Sequence, residues 1–150
     1  MLRQISVLVH LLAAMAWVGG MFFAYFCMRP AAAQLLQPLQ RLPLWAATFQ
    51  RFLKYTAVGV VLILGTGLGM YMEGGARNAP VGWHVMMTLG LVMAAVFAYV
   101  YGLLYPELRE HCAAAAWPAA GKTLNRMRQL VALNLALGVA TVVAAISPRF

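Results

Sequence analysis

Four long apolar runs decide what this chain can become. They cover roughly residues 5–28, 52–72, 82–104 and 129–147. Each is close to or above the ~20 residues that an α-helix needs to cross the ~30 Å hydrocarbon layer of a bilayer. The runs are continuous rather than alternating, and lipid demands that backbone polar groups be paired internally, so they read as helices. Only 9% of the residues are charged and 64% are hydrophobic, whereas a soluble domain carries about 25% charged residues. The sequence therefore predicts an all-α integral membrane four-helix bundle, with residues 1–150 forming a single transmembrane domain. The first run follows Arg3 and precedes Ala31, Ala32 and Ala33. It exceeds the 7–15-residue core of a signal peptide and is read as a retained helix.

Charge orients the bundle. Four crossings put both ends of the chain, and the short Glu73–Val81 link, on one side with Arg3, Arg77 and Arg149. The opposite side carries Arg29, Arg41, Arg51, Lys54, Arg109, Lys122, Arg126 and Arg128. The basic side is expected to be cytoplasmic, with both termini facing outward. Topology and contact with anionic lipid then account for the net charge of +8, without any nucleic-acid partner. Cys27 and Cys112 fall on the cytoplasmic side, where a disulfide is not expected. The three acids, Glu73, Glu107 and Glu110, lie outside the apolar runs. That argues against a proton pump built on buried carboxylates. The stretch AAGKT (119–123) has Ala116 where a phosphate loop needs glycine. Pro118 instead suits a first helical turn, so the fourth helix is expected to start before the bilayer. Residues 29–51 read as an interfacial amphipathic connection.

Sliding the chain on itself by 74 residues places Arg3 on Arg77, His10 on His84, Phe23-Ala24-Tyr25 on Phe97-Ala98-Tyr99, and Lys54 on Arg128. This is the pattern of a duplicated two-helix hairpin, a parallel internal repeat. At 1.5 Å per residue, His10 and His84 lie roughly 7 Å and 3 Å inside their helices, at a shared depth near the outer face. Intramembrane ionisable groups are costly and face the interior or an aqueous cavity. The two histidines are thus expected to be paired ligands, the alternative being two hydrogen-bonded structural residues.

Two cofactors compete for such a pair. For b-type haem, Gly65 and Gly69, with Gly67 between them, would leave room for a flat macrocycle. Thr66 and Thr141 would orient the imidazoles through their second nitrogens, and Arg3 and Arg77 would meet the propionates. For copper, Met70, Met72, Met86 and Met87 would add soft thioethers to the imidazoles. Methionine also serves as ordinary filler in apolar helices.

The segments HLLAAMAWVGGMFFAYFCMRPAA (10–32), RLPLWAATFQRF (41–52) and GWHVMMTLGLVMA (82–94) resemble the copper-resistance protein D (CopD) family. So does Trp117–Gly138, although the acid that leads this motif in such proteins is missing here. The resemblance implies a bacterial inner-membrane protein associated with copper handling, for which a periplasmic copper protein or a redox partner is expected; with the charge bias, its termini are expected in the periplasm. A more distant similarity is to HemJ-type protoporphyrinogen oxidases, four-helix membrane proteins that bind haem b. It rests on His10 with Trp17, Gly19 and Gly20, and on Trp83-His84. That likeness does not carry the oxidase activity over. Three functions follow as expectations. The first is a haem-b electron carrier or redox sensor on His10 and His84. The second is copper binding or transport, and the third a cofactor-free assembly subunit. An oligomer is compatible with all three.

Overall fold

The computed structural model describes residues 1–74 and 79–146, and every regular element among them is helical. The first rod is α1 (Leu2–Phe22), a π-helical turn (Phe23–Met28) and α2 (Arg29–Leu35). The chain breaks at Leu36, whose backbone is extended. It restarts as α3 (Pro38–Glu73), opened by Pro38 and by a capping box between Gln37 and Gln40. That box satisfies amides that would otherwise lack partners at a helix start. The second half repeats the plan with α4 (Val81–Tyr99), a π-helical turn (Val100–Leu104), α5 (Tyr105–Ala113) and α6 (Trp117–Ile146). Ala115, in the α5–α6 turn, takes a left-handed φ of 52°.

Four rods of 30 to 36 residues are long and apolar enough to cross a membrane. This is the four-helix bundle expected from the apolar runs. The element ends differ from expectation. Residues 29–51 are almost wholly helical, forming α2 and the first third of α3 and broken only around Leu36 and Gln37. Backbone hydrogen bonding stays helical beyond the apolar stretch because arginine, glutamine, alanine and leucine are all good helix formers. The fourth helix begins at Trp117, ahead of its apolar run.

The duplicated plan is visible in the succession of elements, but its register is not 74 throughout. The prolines that open α2 and α5, Pro30 and Pro106, are 76 apart, and Pro38 and Pro118 are 80 apart. α1 packs chiefly on α3, and α4 on α6, so each half is a helical hairpin. The hairpins meet across a core of Trp17, Met21, Phe49, Met93, Phe97 and Met127. Trp17 and Phe97 cross edge to face, with ring centroids 5.9 Å apart. Large apolar side chains such as Leu8, Leu12, Leu62, Leu91 and Val142 remain exposed around the outside. A surface this apolar suits lipid rather than water.

Candidate metal centre

Both histidines of the apolar segments are anchored on α3. His10 Nδ1 lies 3.0 Å from Thr66 Oγ1. The Thr66 hydroxyl donates its own proton to the Leu62 carbonyl at 2.5 Å, a back-bond common for threonine in apolar helices. With that proton committed, Thr66 Oγ1 can only accept, so His10 Nδ1–H is the donor. The Nε2 lone pair of His10 is thereby left free. A β-carbon added to Gly67 would sit 3.1 Å from His10 Cε1, so this glycine admits the ring against α3.

His84 occupies the first turn of α4, and its Nδ1 lies 2.6 Å from Tyr71 Oη. The two rings are nearly perpendicular, with centroids 5.4 Å apart. Thr88 Oγ1 donates to the His84 carbonyl at 2.9 Å and fixes the backbone rather than the ring. Among the described residues, neither histidine Nε2 has a hydrogen-bond partner.

The two anchors are five residues apart on one helix. At 1.5 Å and 100° per residue, Thr66 and Tyr71 are separated by about 7.5 Å along α3 and point roughly 140° apart. The two imidazoles are therefore anchored at different points along α3. The reason is lateral packing: His84 meets α3 across the short α3–α4 link, whereas His10 meets it one and a half turns earlier. Axial ligation of one haem iron requires both Nε2 atoms to face a single point, whereas the two anchoring residues point in different directions around α3. The arrangement does not fit a bis-histidine haem.

Other residues expected around a macrocycle are placed elsewhere. Gly65 and Gly69 have nothing within 4 Å of a built β-carbon, so they border open space rather than the histidines. Thr141 donates to the Leu137 carbonyl at 2.8 Å and approaches the Met93 sulfur at 3.8 Å, in the α4–α6 contact. Of the two orienting threonines, only Thr66 meets an imidazole. Arg3 is exposed in the first turn of α1, and Arg77 lies outside the described residues.

The methionines divide by helical spacing. Met70 follows Thr66 by four residues and shares its face of α3. Met72 is 69% exposed on another face. Met87, three residues after His84 on α4, is half-buried, as is Met86. No group of three or more histidine, cysteine or carboxylate side chains among the described residues could by itself hold a metal. Any metal here needs thioether or exogenous ligands beside an imidazole. Sequence reasoning missed Tyr71, because nothing in the linear pattern shows which phenol the α3–α4 link brings to His84.

Neither the curated proteins nor the solved structures include a match to this chain. Residues 46–147, well over half of the chain, match the family model described as Copper resistance protein D. With four apolar membrane-crossing helices and that match, the chain belongs to the copper resistance protein D family.

Proposed function

We propose that this protein handles Cu(I) at the end of the bundle where α3 stops, with the ion as cargo. The observation that carries this reading is the way α3 holds the two imidazoles. Each is tied through Nδ1 to a hydroxyl of α3, Thr66 or Tyr71, and keeps Nε2 unengaged. A partner on the second nitrogen orients a metal-binding imidazole and raises its basicity. Neutral imidazole with thioether is a donor set suited to Cu(I). His10 lies across from Thr66, one turn from Met70, and His84 stands one turn from Met87. The stagger makes these two successive half-sites rather than one joint site. Family membership supports copper over iron, and the matched residues include Thr66, Met70, Tyr71, His84 and Met87. His10 precedes them.

The test is anaerobic Cu(I) titration of the purified protein against a competing chromogenic chelator. The native protein should hold copper, and the double variant His10→Ala/His84→Ala should lose it. Equal copper retention by the two proteins, or a low-spin haem spectrum in the protein as purified, would overturn the proposal.

On the same reading, the α3–α4 link and both termini face the periplasm across a bacterial inner membrane, because basic residues cluster at the other end. A compartment reporter inserted after Gly74 should report the periplasm, and one after Ala114 the cytoplasm. A cytoplasmic signal after Gly74 would place the copper end inside the cell.

A further inference from the structure

The opposite end of the bundle holds a second feature, independent of copper. Arg29, Arg41 and Arg128 line one cavity of about 430 Å³, together with Trp45 and Trp117. They come from α2, α3 and α6, and lie far apart in the sequence. Nine lysines and arginines are described, and these three are the ones that are not fully exposed. Arg29 stacks over the Tyr25 ring at 5.1 Å. Arg128 donates to Asn125 Oδ1 at 2.6 Å, a neutral partner. Arg128 also stands within range of repulsion from both Arg29 and Arg41.

No carboxylate lines the cavity. Glu107 accepts from Thr123 at 2.8 Å and faces His111. Glu110 borders a different cavity beside Arg109, and Glu73 is at the far end of α3. Three guanidinium groups therefore converge with no negative partner from the chain. The first turns of α3 and α6 border the same space through Pro38, Trp117 and Pro118. The positive ends of two long helix dipoles add to the field there. Guanidinium forks match phosphoryl oxygens in geometry as well as charge. Buried leucine and indole surface beside them suits glycerol and the start of an acyl chain, and indoles favour the membrane–water interface.

We propose that this cavity binds the phosphoryl headgroup of an anionic phospholipid, with Arg29, Arg41 and Arg128 as its ligands. Basic pockets between transmembrane helices are a known physical solution for such headgroups. The same chemistry would also accept soluble phosphate, so the experiment separates the two sources.

The test is native mass spectrometry of the detergent-solubilised protein titrated with phosphatidylglycerol, with phosphatidylcholine, and with inorganic phosphate. Phosphatidylglycerol should form a one-to-one adduct that outlasts the phosphatidylcholine adduct. The variant Arg29→Gln/Arg41→Gln/Arg128→Gln should bind phosphatidylglycerol about a hundredfold more weakly. The control Arg51→Gln/Lys54→Gln/Arg126→Gln removes the same charge from exposed positions and should stay within about twofold of native, since exposed charges are screened. If the site variant loses its helical circular dichroism, Arg128→Gln alone carries the test, with an expected loss of about fivefold. Equal weakening in site and control variants would overturn the proposal. So would saturable phosphate binding, abolished in the site variant, without preference for phosphatidylglycerol, because the ligand would then be soluble.

Discussion

Thr66→Val should weaken Cu(I) binding about 10- to 100-fold while leaving the His10 imidazole in place, the range seen when the group that orients a metal-binding histidine is removed. The argument runs through one proton. Thr66 gives its hydroxyl proton to the Leu62 carbonyl and accepts from His10 Nδ1–H. That fixes the tautomer with a free Nε2 and holds the ring in the gap left by Gly67. Valine has the shape of threonine but cannot accept, so the ring is freed to rotate or to change tautomer. Thr66→Ser restores the acceptor and should restore most of the affinity. His10→Ala removes the donor atom itself and should cost at least as much as Thr66→Val. The measurement is Cu(I) competition titration of the four proteins in one detergent. Should Thr66→Val bind as tightly as native while His10→Ala does not, the hydroxyl has no orienting role. If neither change matters, His10 is not a ligand, and the assignment falls back on His84 and Tyr71.

Gly138→Leu should destabilise the bundle by about 2 kcal/mol, within the 1–3 kcal/mol typical of overpacking a well-filled core. Gly138 is buried where α6 meets both α1 and α4. A β-carbon there would stand 3.1 Å from Val18 Cγ2 and 3.4 Å from Met93 Cε. Met93 can adapt, since its side chain is unbranched and flexible. Val18 cannot, because branching at Cβ holds it to one rotamer on a helix. The leucine would therefore push α6 outward. That movement strains two contacts flanking the glycine, from Asn134 Nδ2 to the Met93 carbonyl at 3.2 Å and from Thr141 to the Met93 sulfur. Asn134 Oδ1 is already buried without a partner, so the site has little polar slack. Gly65→Leu supplies the comparison: nothing lies within 4 Å of its built β-carbon, and better helix propensity should make it neutral or mildly stabilising. Reversible unfolding in mixed micelles, followed by circular dichroism, measures both. Equal midpoints for the two variants would mean that this three-helix junction is not tightly packed.

Both predictions rest on glycines that look alike in the sequence. Gly65, Gly67 and Gly69 alternate along one short stretch, and as a group they suggest room for a flat ligand. On a helix, alternate residues point about 200° apart, so Gly67 points away from the face that Gly65 and Gly69 share. Only Gly67 faces His10. The sequence pattern is one-dimensional, and the rotation of α3 that selects among the three comes from its packing on α1.

Hydropathy alone determined that this chain is a membrane protein of four helices, because transfer of apolar side chains and pairing of backbone groups act residue by residue along the chain. Scarcity made His10 and His84 legible as unusual, and Pro118 marked the early start of α6. The tertiary structure decided what those residues meet. Whether two helices are in register depends on how their side chains interlock laterally, and a shift of five residues turned an expected pair into two staggered anchors, Thr66 and Tyr71. The convergence of Arg29, Arg41 and Arg128 was equally invisible in the linear order. Charge bias located all three at the basic end, but only the packing of α2, α3 and α6 gathered them around one cavity, while the other described basic side chains stay exposed.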